Sequence, residues 1–399
     1  MKKYTFLLLI LIGAIANIKA QDNILNVNED TCSLFNTYKQ GSISIHKDNA
    51  FGKQNNYLDL FHSFYYNNSE SKSLVTGLKY MAISKDGEIF IANYADFTIH
   101  KFDQNGNFLF SFGKFGYEEG DISGYIEDIA VLDDKYVLVK QGINGRVNIY
   151  NLNGKFIRTF VLDYQIFKFL ALGDSRIIIY GDDIKDTDNS GFISIINVDT
   201  EEEHRVKVFK SKEHQQSGFS KLINRTLKLK NDIFLKPLSN QTFIVGESYS
   251  DLLQVYDKNG RNIKTINTEL ERKVIEPKTK ISDSDYLYKK LMQRFFPNKE
   301  TAKELKNNSI IKLPYYLDMM VDAQDNILLS TFTKDYKRLE FFVINPSNNE
   351  RTKTSVHHNE SMLGTLKLEK RNAFFRNYLI TLIHNESNHK IIFERFVIK

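Results

Sequence analysis

Short apolar segments separated by polar turns recur along most of the chain. Residues 84–121 contain three such segments, built from β-branched and aromatic residues and separated by the turns Lys-Asp-Gly and Asn-Gly. Segments of this length with Gly, Asn and Asp between them are typical of antiparallel strands joined by tight turns. The pattern therefore predicts β-hairpins over this stretch.

The same strand-and-turn unit returns about every 40–50 residues where no segment is inserted. Each unit has an apolar first segment, a second segment, a third segment after a loop and, in five units, a fourth. The second segments are 88–93, 136–141, 176–181, 242–247, 326–331 and 377–382. A period in this range is typical of β-propeller blades, whose two apolar faces are covered by neighbouring blades. The alternative is a sandwich or barrel of unrelated hairpins, which would not require the recurring Asp/Asn-x-x-Gly turn.

The repeat predicts an all-β protein over residues 41–399, a six-bladed β-propeller of four-stranded antiparallel blades. The blades are expected at 78–124, 125–166, 167–210, 232–272, 315–356 and 363–399, the last together with 41–48. The sixth unit ends after its third strand, and natural sheets avoid a bare edge. An unassigned strand at 41–48 is followed by Asn-Ala-Phe-Gly-Lys, which is similar to the exit of the first blade. We therefore expect residues 42–47 to pair with 391–398 and to close the ring.

The chain opens with a secretory signal pattern. Two lysines precede the apolar run 6–18, and Ala20 provides a small residue at the end of it. The run is too short to span a bilayer comfortably, so residues 1–20 are predicted to be a cleaved signal peptide, with an uncleaved anchor as the alternative. Residues 21–40 then form an N-terminal extension. The single cysteine, Cys32, lies well beyond the run, so neither a lipoprotein nor an internal disulfide is expected. The protein is expected to be exported, either periplasmic or extracellular, and bacterial.

The charge balance excludes several partner classes. The net charge is +5 at pH 7, and removal of the lysine-containing leader lowers it further. So small a charge gives no long-range attraction for nucleic acid or anionic lipid. The chain has 30 Phe and 21 Tyr but only 5 Pro, which suits a β-rich globule. We expect no nucleic-acid partner, no membrane span after leader removal, and a monomer.

One stretch carries a family resemblance. Residues 85–121, KDGEIFIANYADFTIHKFDQNGNFLFSFGKFGYEEGD, resemble the NHL repeat, and the leader with its six units resembles exported six-bladed β-propellers common in Bacteroidetes. The family often has Asp where Asn93 stands and Arg where Thr98 stands, and the later units keep only the skeleton. The resemblance implies a channel lined by first strands, with sites among the loops that enter these strands or join second to third strands. Such propellers include scaffolds, ligand binders, hydrolases and lyases, so the function stays open.

A helical segment is predicted between the fourth and fifth blades. Within the insertion 273–314, Leu287, Leu291 and Phe295 recur every four residues and form one apolar stripe. This spacing predicts helical structure over about 282–306. The helix either covers the loop face as a partial lid or packs on the flank of one blade.

Two groups of acidic residues are candidate calcium ligands. The resemblance to six-bladed lactonases and amidating lyases implies an ion on the channel axis, and Asp128 and Asp318 fall near the channel mouth. Carboxylates with waters and carbonyls suit calcium, but both residues also fit hydrogen-bonded strand ends. Asp186, Asp188 and Ser190 have the spacing of an EF-hand loop start, although position 12 lacks the bidentate glutamate. The alternative for these three is a solvated hairpin tip. No cofactor is expected other than calcium.

The loops of the same face are rich in aromatic and charged residues. Tyrosine-rich loops on a rigid scaffold suit binding of a peptide or sugar. We predict a binding or interaction module for a protein, peptide or glycan ligand, and the alternative is a calcium-dependent hydrolase or lyase. The candidate ligand-binding residues are Tyr94, Asp96, Tyr117, Glu119, Tyr125, Arg146, Tyr249, Asp251, Lys334, Asp335 and Tyr336.

Overall fold

A computed structural model of the chain provides the fold. It describes residues 33–43, 45–47, 51, 64–68, 71–75, 78–93, 97–142, 145–182, 191–209, 232–272, 274–275, 311–312, 314–331, 338–357, 372–375, 378–385 and 390–398. The structural statements below refer to these residues.

Strands dominate the described residues, which contain one short helix, α1 (Leu34–Tyr38). The strands before the first predicted blade are β1 Ser42–Ile43, β2 Ile45–Lys47, β3 Phe64–Asn68 and β4 Ser71–Val75. Those of the first two blades are β5 Leu78–Ile83, β6 Ile89–Asn93, β7 Thr98–Phe102, β8 Phe108–Phe112, β9 Ile126–Leu132, β10 Tyr136–Gln141, β11 Arg146–Asn151 and β12 Phe156–Val161. The next two blades contain β13 Gln165–Gly173, β14 Arg176–Asp182, β15 Gly191–Asn197, β16 Glu203–Phe209, β17 Ile233–Leu238, β18 Thr242–Glu247, β19 Leu252–Tyr256 and β20 Asn262–Asn267. The remaining strands are β21 Val274–Ile275, β22 Ile311–Lys312, β23 Asp318–Val321, β24 Ile327–Ser330, β25 Arg338–Ile344, β26 Arg351–His357, β27 Asn372–Phe375, β28 Tyr378–Asn385 and β29 Lys390–Ile398.

The strands form a propeller of four-stranded antiparallel blades. The described residues contain five four-stranded sheets, with the orders β5-β6-β7-β8, β12-β11-β10-β9, β13-β14-β15-β16, β17-β18-β19-β20 and β2-β29-β28-β27. The structure therefore shows five four-stranded blades among the described residues, and the prediction of six is wrong. The predicted blade at 315–356 is a five-stranded sheet, β1-β26-β25-β24-β23, because residues 42–43 add to its edge in parallel. The pair β3-β4 forms a separate two-stranded sheet that the repeat did not predict.

Each interior sheet buries both of its faces. Val137 and Val139 of β10 pack in the apolar cluster shared with the first sheet, whereas Leu138 between them packs against the third sheet. All three side chains are fully buried. Ile178 of β14 and Ile244 of β18 likewise belong to a different cluster from their neighbours on either side. Because strand side chains alternate between faces, a run of apolar residues serves two interfaces at once.

First strands of successive sheets lie side by side, so the sheets follow one another around a common centre. Strand β5 lies beside β9, β9 beside β13, β13 beside β17, and β17 beside β23. Strand β27 lies beside β5, which brings the C-terminal sheet next to the first one. This adjacency is what lets each blade cover the apolar face of the next.

The N-terminal segment joins two sheets at the point of closure. Residues 45–47 pair antiparallel with 396–398, as predicted, whereas residues 42–43 pair in parallel with 355–356 instead of with β29. The prediction that all of 42–47 lies along the last strand is therefore wrong for its first part. Because residues 42–43 belong to one sheet and residues 45–47 to the other, the segment connects the fifth predicted blade to the sixth.

Phe51 shows that this segment is equivalent to an outer strand. Phe112, at the end of β8, lies against the turn glycine Gly154 of the next blade, where an added Cβ would stand 2.6 Å from the ring carbon Cγ. Phe51 lies in the same way against Gly106, the turn glycine of the first blade, at 2.7 Å from an added Cβ to its Cζ. The similarity of the two Phe-Gly-Lys sequences thus reflects the same packing position.

Helix α1 docks at the end of the sheets that carries the turn between β23 and β24. The side chains of Leu34, Phe35 and Tyr38 are buried there. The Tyr38 hydroxyl donates to Asp322 Oδ2 at 3.0 Å, and the backbone N–H of Leu34 donates to Gln324 Oε1 at 2.7 Å. Residues 33–39 of the predicted N-terminal extension are therefore part of the folded domain.

The predicted helix at 282–306 lies outside the described residues. The two ends of its insertion are held together, because Val274 pairs with Lys312 and Ile275 with Ile311 in a short antiparallel ladder. The segment therefore leaves and rejoins the propeller at one place.

Candidate functional site

The two ends of the sheets differ in what they carry. One end, called here the loop face, has the connections into the first strands, such as 113–125, and the loops between second and third strands, such as 248–251. The opposite end, the turn face, has tight turns such as 133–135 and 174–175. Turns of neighbouring blades on this face are joined directly, since Asp133 Oδ1 and Oδ2 accept the backbone N–H groups of Asp174 (2.8 Å) and Ser175 (2.7 Å). Hydrogen bonds between neighbouring turns thus stabilise the turn face, and the longer loops lie on the loop face.

Exposed aromatic side chains concentrate in one connection, residues 113–125, called here the aromatic loop. Phe115, Tyr117 and Tyr125 are 52%, 84% and 57% exposed. Among the described residues only one other aromatic, Phe167, belongs to the exposed large apolar side chains. The rings contact one another through Phe97, whose centroid lies 4.9 Å from that of Phe115 and 6.3 Å from that of Tyr125. Tyr117 extends the cluster at 5.7 Å from Phe115.

The aromatic loop is closed by its own backbone. The N–H of Ile122 donates to the carbonyl of Lys114 at 2.9 Å, and the N–H of Asp121 donates to the carbonyl of Glu118 at 3.1 Å. A carboxylate oxygen of Asp121, Oδ2, accepts from the N–H of Glu118 at 3.3 Å. The same oxygen would stand 2.0 Å from a Cβ at Gly116, so any larger residue there would displace the Asp121 carboxylate. These bonds hold the exposed rings on a defined backbone.

Buried polar side chains of the second blade form hydrogen bonds to the backbone of the aromatic loop. Asn148 of β11 is fully buried and donates through Nδ2 to the carbonyl of Asp121 at 3.0 Å. The Tyr150 hydroxyl donates to the carbonyl of Gly120 at 2.7 Å, and burial raises the pKa of this phenol. The Asn148 amide oxygen accepts from Thr159 Oγ1 at 2.7 Å, which fixes its orientation. A buried amide with its partners satisfied makes the loop a preorganised part of the structure.

Phe97 has an unusual backbone conformation beside the loop. Its φ is +60°, in the left-handed region that bulky residues rarely adopt. Its carbonyl oxygen also lies close to Gly113, at 3.1 Å from the position of a Cβ there. Strain of this kind costs about 1–3 kcal/mol and concentrates at functional positions. From this backbone position the Phe97 ring contacts the rings of both Phe115 and Tyr125.

The charges of the aromatic loop are mostly acidic. Lys114 Nζ pairs with Glu118 Oε2 at 3.3 Å and with Asp121 Oδ1 at 3.5 Å, and these carboxylates raise the pKa of Lys114. Glu119 is exposed and forms no ion pair within the described part of the chain. An unpaired exposed carboxylate thus lies two residues from the most exposed ring, Tyr117.

Three of the predicted binding residues, Tyr117, Glu119 and Tyr125, belong to the aromatic loop. Arg146 lies half-buried at the start of β11, where its positive charge acts on the Tyr150 phenol. Phe97 and Phe115 were not predicted, although Phe115 stands in the same glycine-rich exit as Tyr117. The predicted residues Tyr94, Asp96, Lys334, Asp335 and Tyr336 lie outside the described residues.

Tyr249 and Asp251 lie at a separate part of the loop face, at the root of the insertion. The guanidinium of Arg272 lies 4.9 Å from the ring centroid of Tyr249 and 5.6 Å from that of Tyr315. Burial raises the pKa of Tyr249 to about 12. The carbonyl of Asp251 accepts the N–H of Thr268 at 2.7 Å. These contacts fix both ends of the insertion to the fourth blade.

The candidate calcium ligands of the channel make local hydrogen bonds. Asp128 Oδ1 accepts the N–H of Ile129 at 3.0 Å, and Asp318 Oδ1 accepts the N–H of Met319 at 2.7 Å. Next to Asp128, Glu127 forms an ion pair with the buried Lys140. Within the part of the chain that the structure describes, no three His, Cys, Asp or Glu side chains are grouped to hold a metal ion. The other candidates, Asp186, Asp188 and Ser190, lie outside that part.

The fold is similar to that of several solved structures, whereas no family model and no curated protein matches the chain. A DUF4221-family protein from Bacteroides vulgatus ATCC 8482 is 14% identical over 90% of this chain and 99% of its own, with a TM-score of 0.49. A protein described as exported, from Bacteroides fragilis NCTC 9343, is 10% identical over the same shares, with a TM-score of 0.48. Virginiamycin B lyase from Staphylococcus aureus is 9% identical over 84% of this chain and 98% of its own, with a TM-score of 0.41.

These likenesses concern the fold, and at such identities they assign no activity to this chain. No helix among the described residues is long and apolar enough to cross a membrane.

Proposed function

We propose that this protein is an exported binding module of the NHL-like β-propeller type, and that its ligand docks on the loop face at the aromatic loop. The ligand class is a protein, peptide or glycan. One observation carries the proposal: three exposed aromatic side chains stand together on a loop whose backbone is hydrogen-bonded to buried side chains of the second blade.

A partner that covers these rings would remove apolar surface from water, which favours binding. Aromatic side chains bury 150–250 Å² each when covered and dominate interface energetics. Contiguous exposed apolar patches on soluble proteins commonly mark interaction sites. Because Asn148 and Tyr150 hold the loop, little conformational entropy would be lost on binding. A rigid, aromatic and partly charged surface is therefore suited to specific recognition.

A ligand screen with matched variants tests the proposal. Wild-type protein, the double variant Phe115→Ser/Tyr117→Ser and the control Ile157→Ser/Val161→Ser are compared against arrays of peptides and oligosaccharides. The control residues lie on β12 and are 44% and 59% exposed, so the control also replaces two exposed apolar side chains by serine, away from the aromatic loop. We expect saturable binding that the first variant weakens by at least about tenfold and the control leaves intact. Ligands that bind the first variant as well as the wild type would contradict the proposal.

The insertion is proposed to act as a partial lid on the same face. Its root is fixed at the fourth blade by the β21–β22 ladder and by Arg272 between Tyr249 and Tyr315. Deleting residues 282–306 should leave the thermal midpoint of unfolding nearly unchanged and alter ligand binding. Loss of the folded state on deletion would instead make the insertion a structural brace.

A further inference from the structure

The exposed charged residues of the aromatic loop are one lysine, Lys114, and two glutamates, Glu118 and Glu119. Glu118 and Lys114 are 82% and 68% exposed in their side chains and are paired with each other. Asp121 is buried and also faces Lys114. Glu119 therefore adds a negative charge that no lysine or arginine of the described residues neutralises. A ligand that meets this loop encounters exposed aromatic rings and, two residues after Tyr117, the exposed carboxylate of Glu119.

Aromatic ring faces attract cations, and this protein uses that attraction internally. Lys101 Nζ lies 5.4 Å from the ring centroid of Phe90, and the Arg205 guanidinium lies 4.1 Å from that of Phe192. The exposed rings of Phe115 and Tyr117 contact other aromatic rings, and no lysine or arginine of the described residues lies over them. Their outer faces are thus available to a cation from a partner.

We infer that the aromatic loop binds an arginine or lysine side chain of a peptide segment. This inference rests on the proposed binding function and specifies its ligand class. A guanidinium or ammonium group would stack on Phe115 or Tyr117, and its N–H groups would donate to the Glu119 carboxylate. A single cationic side chain would thus use both the exposed ring faces and the unpaired negative charge. A neutral glycan would use the rings but not the charge, and an acidic polysaccharide would be repelled by it.

The test uses defined probes and single substitutions. Fluorescence anisotropy follows the binding of a labelled Gly-Ser peptide that carries arginines, of the same peptide with neutral citrulline in their place, and of a labelled neutral oligosaccharide. We expect the arginine peptide to bind best, and Tyr117→Ser to weaken its binding about tenfold. Glu119→Gln should weaken it several-fold and reduce its salt dependence, because a charge-assisted contact is lost. Val161→Ser serves as the control and should leave binding unchanged.

The outcomes distinguish the proposed cationic ligand from the proposed binding function. If the citrulline peptide binds as well as the arginine peptide, or Glu119→Gln changes nothing, the cationic ligand is excluded. The binding function would still stand if Tyr117→Ser weakens either probe. Binding of the neutral oligosaccharide alone, dependent on Tyr117, would likewise replace the cationic ligand and keep the binding function. If no probe depends on Tyr117, both proposals are overturned.

Discussion

Tyr38→Phe removes one hydrogen bond from a buried carboxylate and leaves the aromatic ring in place. Asp322 Oδ2 accepts from the Tyr38 hydroxyl at 3.0 Å and from Asn326 Nδ2 at 2.8 Å. Its Oδ1 accepts the N–H groups of Gln324 at 2.8 Å and of Asn326 at 2.9 Å. The substitution thus leaves three of the four donors. Because Tyr38 is the innermost side chain of α1, the lost bond weakens the attachment of the N-terminal segment.

The expected cost follows from the charge of the acceptor. A hydrogen bond to a charged group contributes about 1.5–3 kcal/mol, and the remaining donors place the cost at the low end, about 1.5 kcal/mol. Burial raises the pKa of Asp322, so ionising this carboxyl lowers the stability as pH rises from the usual aspartate value to the raised one. The Tyr38 bond opposes that shift. The cost of Tyr38→Phe should therefore be largest at neutral pH and shrink as pH falls through the raised pKa of Asp322, which lies above the usual aspartate value.

Hydrogen exchange followed by mass spectrometry measures this effect locally. At neutral pH, peptides covering residues 34–47 should exchange about tenfold faster in the variant, since 1.4 kcal/mol corresponds to a factor of ten. Tyr117→Phe is the matched control, because that side chain is 84% exposed and its change should not alter exchange in the segment. Unchanged exchange of 34–47 in Tyr38→Phe, or a cost that grows at acid pH, would refute the assigned role of the bond.

Three further measurements address the loop, the buried ion pair and the metal. Gly120→Ala should lower the stability by about 3 kcal/mol, since φ is +84° and the new Cβ would stand 2.6 Å from Phe156 Cγ. Gly142→Ala, at φ +55° with open space around the new Cβ, should cost less. Equal shifts in Tm for the two alanine variants would argue against the steric clash with Phe156. Lys140→Met should cost about 2 kcal/mol by leaving Glu127 unpaired, and adding Glu127→Met should recover part of it in urea unfolding. EDTA should leave Tm unchanged, whereas stoichiometric calcium and an EDTA-sensitive Tm would support the calcium-dependent enzyme instead.

Local features of the fold could be predicted from the sequence because short-range forces decide them. In the turn that begins at Asp103, the carboxylate Oδ1 accepts the N–H groups of residues 105 (2.9 Å) and 107 (2.8 Å). The turns that begin at Asn151 and Asp257 repeat the same bonds. Each turn ends on a glycine with positive φ, so the motif Asp/Asn-x-x-Gly specifies its own geometry. The apolar runs between such turns then specify strands with two buried faces.

The aromatic loop was only partly predictable. Its glycines and exposed tyrosines are visible in the sequence, but the contact with Phe97 depends on a loop of the preceding strand pair. The support from Asn148 comes from a strand 27 residues further along the chain. A sequence pattern contains no signal for such a pair, because neither residue type is unusual where it stands.

Taken alone, the sequence determined the propeller of four-stranded blades and the return of the N-terminal strand to the last sheet, since repeats and strand edges are readable along the chain. Tertiary structure alone decided how that strand divides between two sheets and where α1 docks. It also decided which exposed rings form one surface. The Tyr38–Asp322 bond joins residues 284 positions apart, and only the closed arrangement of the sheets brings such groups within hydrogen-bonding distance.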